Sequence, residues 1–126
     1  MSQSMPVLQK TFLAAGDLSA LQWCFVKMSA DQTVAVCESG MAIGVLTNMP
    51  KAIGVGAVVR LLGTTKIRVD GSGTPITAGT PLVATTGGVA IAGGANKDSV
   101  CAIALAGSTA SGDVIEAMLV RYCVSA

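Results

Sequence analysis

Apolar positions in this chain fall in short runs cut by Gly, Ser, Asp and Pro, and they almost never recur at helical spacing. β-branched residues dominate those runs, a pattern that belongs to strands of a barrel or sandwich. The spacing predicts strands over Gln9–Ala14, Trp23–Met28, Thr33–Cys37, Met41–Leu46, Ala57–Leu62, Thr65–Val69, Pro81–Ala84, Gly88–Ile91, Val100–Ala106 and Val114–Val124. The clearest alternation is Thr65-Lys66-Ile67-Arg68-Val69-Asp70, which points Ile67 and Val69 inward and the charges outward. Asp17-Leu18-Ser19-Ala20 has the form of a capped single helical turn. The fold class is therefore all-β: a compact single-domain β-barrel or sandwich over residues 9–126, preceded by an extended N-terminal arm over residues 1–8.

Turn chemistry proposes two hairpins. A four-residue loop Ser29-Ala30-Asp31-Gln32 sets Val26 against Ala35 and Cys24 against Cys37. A turn at Ser111-Gly112-Asp113 sets Leu105 against Leu119 and Cys101 against Cys123. The four cysteines thus fall into two facing pairs. Met1–Phe12 contains no apolar export segment, which predicts synthesis in a reducing compartment, where the paired thiols are free and fill the core; the alternative is a disulfide across either pair. Gly87-Gly88 is placed to supply the positive φ of a further hairpin turn after Pro81–Ala84. Trp23, with Phe25 two residues on, is either a core plug or an anchor at an interface.

Composition changes the picture on the surface. Of 126 residues, 8 are Lys or Arg and 7 are Asp or Glu, and the net charge is +1. A folded chain of this length exposes roughly 6,200 Å², so its charges are spread thinly beside those of ordinary soluble domains. Such a surface is either unusually polar through Ser, Thr and Gly, or largely covered by other chains, since apolar, charge-poor faces mark interfaces. No basic patch suggests a nucleic-acid partner, and no run of about 20 apolar residues suggests a membrane span.

Candidate chemistry is scarce. Histidine is absent, which removes the commonest general base and any Ser-His or Cys-His nucleophile. Cys24, Cys37, Cys101 and Cys123 contain no C-x-x-C knuckle for zinc. Asp17, Asp31, Asp70 and Asp113 sit in or beside predicted turns, where Asp supplies local hydrogen bonds. Gly54-Val55-Gly56 lacks the third glycine of a dinucleotide loop, and Gly93-Gly94-Ala95-Asn96-Lys97 lacks the spacing of a phosphate loop. The expectation is a protein that is not an enzyme and has no cofactor and no metal. Two rival readings stand beside this one. A biotinyl- or lipoyl-like carrier domain has Lys97 as its nearest acceptor, without the expected flanks, and a hydrolase working through Lys or Asp alone has no Ser-x-x-Lys and no arguable cleft.

One ordered set of short segments resembles a known family. It comprises Ala15-Gly16-Asp17-Leu18-Ser19-Ala20-Leu21-Gln22, Phe25-Val26-Lys27, Ser29-Ala30-Asp31-Gln32-Thr33-Val34, Ala42-Ile43-Gly44-Val45-Leu46, Asn48, Pro50 and Val59-Arg60. It continues with Ile76-Thr77-Ala78-Gly79-Thr80-Pro81-Leu82, Ala102-Ile103-Ala104-Leu105 and Gly112-Asp113-Val114-Ile115-Glu116. Over roughly residues 11–120 the chain resembles the small capsid decoration, or cement, proteins of tailed bacteriophages. The resemblance implies a β-fold made in the host cytoplasm that trimerises on the outer capsid surface of the virion and clamps major capsid protein subunits. It implies no catalytic residues. The partner-contact candidates are Met5, Pro6, Val7, Leu8 and Lys10 of the N-terminal segment, together with Trp23. The four cysteines and Trp23 depart from the family pattern.

Overall fold

The computed structural model describes residues 6–93 and 98–123. Nine strands account for nearly all of its regular structure: β1 (Pro6–Ala14), β2 (Phe25–Ala30), β3 (Thr33–Val36), β4 (Gly44–Leu46), β5 (Gly56–Asp70), β6 (Pro81–Ala84), β7 (Ala90–Ala92), β8 (Ser99–Ala104) and β9 (Ser111–Cys123). The architecture is all-β, as the alternation predicts, and β6 has the bounds read from the sequence.

The pairings close two five-stranded rings that share β5. The first runs β1-β3-β2-β4-β5 and returns to β1; the second runs β5-β7-β6-β8-β9 and returns to β5. A ring with an odd number of strands cannot be antiparallel throughout, so each must contain a parallel pair. These are β1–β3, joined at Leu13↔Thr33 and Ala14↔Val34, and β5–β7, joined at Val69↔Ala90. β1 pairs with the first half of β5 and β9 with the second, the two meeting at Gly63 and Thr64.

The interior follows from this plan. Phe12, Ala14, Val26, Val34, Leu46, Ala57 and Val59 fill the first ring. Ile67, Val69, Leu82, Ala90, Ala102, Ala104, Ile115, Ala117 and Leu119 fill the second. Phe25 and Val45, on the opposite face of β2 and β4 from Val26 and Leu46, pack into the second cluster. β4 is buried at every position, and so is the start of β2. That explains why Phe25-Val26 and Gly44-Val45-Leu46 show no polar alternation.

Several expected elements differ, each for a local reason. The two strands predicted over residues 57–69 are one, because Gly63 takes φ +99 and carries the chain onward instead of ending it. The first hairpin closes on two residues, not four: Ala30 pairs with Thr33, and Gln32 adopts φ +53. This moves the register so that Val26 faces Val36, and Cys37 donates its N–H to the Phe25 carbonyl, away from Cys24. Ser111-Gly112-Asp113 is not a turn but the start of β9, and Asp70 pairs with Ser111. The register then sets Leu119 against Ala102 and Cys123 against Ser99, so Cys101 and Cys123 are not opposite. Asp17 caps no helical turn; its Oδ1 accepts from the N–H and hydroxyl of Ser19 in a tight local loop. Strand β1 covers more than the predicted Gln9–Ala14: among the described residues it already includes Pro6, paired with Gly63, and Leu8, paired with Leu62.

Side chains and turns tie the rings together. Asn48 imitates a strand, accepting from the Val58 N–H and donating to the Gly56 carbonyl at 2.9 Å each. Arg121 of β9 donates to the carbonyls of Ile43 and Leu61, both in the first ring. The predicted Gly87-Gly88 turn is present, with φ +77 at both residues, and it presses on the first ring. A Cβ on Gly88 would meet Val36 Cγ2 at 2.8 Å and the Phe25 carbonyl at 2.9 Å. Glu38 accepts from the Gly87 N–H at 2.6 Å, fixing the turn from the first-ring side.

Gly88→Ala combines a left-handed backbone with a collision against backbone. We expect a loss of about 2–4 kcal/mol in chemical denaturation. Gly79→Ala has a positive φ with open space around it, and should lose only about 1 kcal/mol.

Candidate interaction surface

The approach to β2 is built from two successive tight turns, in which Leu21 donates to Leu18 and Cys24 donates to Leu21. They leave Trp23 ahead of the strand, not on it as expected, with φ +68. A bulky residue in the left-handed region costs about 1–3 kcal/mol and persists only where its surroundings enforce it. Here two backbone bonds do so: Trp23 donates to the Leu46 carbonyl at 2.7 Å and accepts from the Arg68 N–H at 2.8 Å. The indole is half-buried, with one side against the second-ring core.

The outer face of β5 meets this indole. Thr65, Ile67 and Val69 are fully buried, so Lys66 and Arg68 lie on the opposite face. The Lys66 ammonium stands 5.7 Å from the centre of the Trp23 ring, within cation–π range. Glu116 faces Lys66 directly across the β5–β9 ladder, yet the ammonium lies over the ring. Arg68 has a buried Nε with no hydrogen-bond partner. Its positive charge also acts on the Cys24 thiol.

The other expected contact residues lie elsewhere. Met5 is outside the described residues, as is Lys97 of the carrier reading. Pro6, Val7, Leu8 and Lys10 are on β1, which pairs with β3 and the first half of β5. Leu8 is exposed and opposite Leu62, itself exposed; Met118, also exposed, is opposite Thr64 two positions along. Lys10 extends over the Phe12 ring at 5.4 Å. The structure does not bring this group together with Trp23, whose backbone bonds go to Leu46 and Arg68.

A cleft of about 170 Å³ is lined by Asp70, Gly73, Thr74, Ile91 and Ala92, well below the few hundred Å³ of ordinary small-molecule sites. Its carboxylate, Asp70, accepts from the hydroxyl and N–H of Ser72, which hold its pKa below the usual range. Among the described residues, no group of three His, Cys, Asp or Glu side chains is placed to hold a metal. Cys24, Cys37 and Cys101 are free and buried. Burial pushes all three thiols up, and for Cys101 the neighbouring Cys37 adds to the rise.

No protein-family model matches the chain, and no curated protein matches it in sequence. A solved structure does. The fold is similar to that of the head fiber gp8.5 N base in bacteriophage phi29. The TM-score is 0.68 at 15% identity, and the match covers 94% of this chain and 98% of that one. At that identity the likeness is one of fold, and it extends over both rings.

Arg60 and Arg121 escaped sequence reading because a lone arginine in a strand carries no sign of what it will reach. Arg60 is 8% exposed; Nη2 donates to Gln9 at 2.9 Å, while Nε and Nη1 have no partner. Lys66 and Arg68 were legible as outward charges, but not their nearness to Trp23.

Raised thiol pKa values leave little thiolate at neutral pH. We expect Cys24, Cys37 and Cys101 to resist iodoacetamide in the native protein and to label within minutes once it is unfolded. Peptide mapping by mass spectrometry checks this, and labelling of any of the three in the folded chain contradicts it.

Proposed function

We propose that this chain is a structural protein of a bacteriophage head. It binds the outside of the assembled shell as a homotrimer and stabilises contacts between major capsid subunits. The observation that carries the reading is the fold likeness to a phage head fiber base over nearly the full length of both chains. The ordered segments resembling capsid decoration proteins support it independently, since that resemblance rests on sequence and not on coordinates. The thin surface charge and the exposed Leu8, Leu62 and Met118 at the junction of β1, β5 and β9 suit a surface that neighbouring chains cover. In this reading Met5, Pro6, Val7, Leu8, Lys10 and Trp23 supply contacts to the shell, which displays many copies of its sites and so rewards multivalent binding.

A second reading follows from the same likeness: the chain is the shell-bound base of a head fiber, which holds a further segment outward. The two differ in what they do for the shell. A decoration protein raises its resistance to heat and chelators, whereas a fiber base leaves that resistance unchanged.

Purified chain mixed with expanded phage heads that lack it should co-sediment saturably, and the decorated heads should retain their DNA at temperatures that empty bare heads. Absence of co-sedimentation removes both readings. Binding without added resistance selects the fiber base. Removing residues 1–5 should weaken head binding at least tenfold while leaving the thermal unfolding midpoint unchanged, because the described strand β1, Pro6–Ala14, stays intact.

A further inference from the structure

The Trp23 surface carries more than a general tendency to be covered. Three features converge there. The indole is half-buried against the second-ring core, and its backbone is held by hydrogen bonds on both sides. The Lys66 ammonium is drawn over that ring in preference to Glu116, which the ladder sets opposite it. Arg68 alternates with Ile67 on the same face as Lys66, its N–H bonded to the Trp23 carbonyl and its Nε buried without an acceptor. Neither cation is paired with a carboxylate among the described residues.

We propose that Trp23, Lys66 and Arg68 form a docking site for a short acidic segment of a partner protein. The two terminal nitrogens of Arg68, and not its buried Nε, receive a carboxylate, forked if both oxygens engage. Lys66 takes a second carboxylate, and the segment's backbone or an apolar side chain lies on the indole. Glu116 offsets part of the positive charge, so the site selects a segment with two or so carboxylates over a dense polyanion. Single-stranded nucleic acid also suits an aromatic flanked by cations. The charge count argues against it, because two cations release few counterions and the whole chain is only +1. For the identity of the partner, and for that alone, this inference rests on the head-bound reading: the acidic segment would belong to the shell.

Trp23 is the sole tryptophan, so its fluorescence reports on this site. The probe is a short Gly/Ser peptide with two adjacent Glu residues; the Gln-for-Glu peptide and an oligo-dT strand are the controls. At low salt the Glu peptide should change the emission saturably, and the Gln peptide should not. Lys66→Gln and Arg68→Gln should each weaken the Glu peptide at least tenfold. Lys27→Gln and Lys51→Gln, exposed cations elsewhere on the surface, should leave it unchanged. Circular dichroism and the thermal midpoint of each variant confirm that the fold is retained. The proposal is overturned by no saturable change, by equal response to the Gln peptide, by equal loss in the Lys27 or Lys51 variants, or by tighter binding of oligo-dT. Since the peptide assay uses no heads, a chain that binds the peptide but not heads retains this site and loses the head-bound reading; the reverse result does the opposite.

Discussion

Everything in this fold depends on β5 being one strand. Its fifteen residues serve two rings at once, and neither ring closes without it. Because each ring has five strands, each must contain a parallel pair, and parallel neighbours cannot be joined by a tight turn. The chain meets that constraint economically: β1 reaches β3 only after the β2 strand has been laid down, and β5 reaches β7 only through the long excursion containing β6. Both parallel contacts are short, two residue pairs in one ring and one in the other. Closure therefore leans on the antiparallel ladders that flank them, and the β5 ladders with β1 and β9 are the longest of all.

The unusual composition follows from ring size. Eight-stranded barrels are already just wide enough for their interior to be filled by side chains, and five strands enclose less. Ala57, Ala90, Ala102, Ala104 and Ala117 are fully buried, with Val and Ile completing the layers. A chain rich in Ala and Val with four aromatic residues is thus what two narrow interiors require. The larger side chains go where the rings meet: Phe25 crosses from β2 into the second cluster, and Trp23 packs at its edge.

How much of this was legible in the sequence depended on whether the cause was local. The alternation from Thr65 to Asp70 and the whole of β6 are written in side-chain polarity and turn residues, and both were read correctly. The Gly87-Gly88 turn was read from its glycines, but not its contact with Val36 and Phe25, which needs the second ring to fold back on the first. Gly63 was taken for a stop because glycine usually punctuates a strand; pairing with β1 on one side of it and β9 on the other kept the strand going. Gln32 changed the register of the first hairpin by adopting a backbone conformation its type seldom takes. That one-residue slip moved Cys37 away from Cys24, and with it the facing-cysteine argument. Trp23 was missed as a positive-φ residue for the same reason: only Leu46 and Arg68, distant in sequence, hold it there.

The arginines of the two rings extend this argument. A guanidinium taken from water without a carboxylate is costly unless its donors are met, and Arg60 meets only part of its need through Gln9. Arg121 is satisfied by main-chain carbonyls of the first ring and works as a brace between rings. Arg68 lies between the buried Arg60 and the exposed Arg121: it is half-buried, with its Nε buried and unpartnered. The near-balance of total charge hides this unevenness. With long-range steering so weak in a chain of +1, selectivity for a partner would have to come from short-range geometry such as that of the proposed site at Trp23, Lys66 and Arg68. Burial pushes the Cys24, Cys37 and Cys101 thiols up and Ser72 holds Asp70 down, so none of these four groups is poised to change protonation near neutrality.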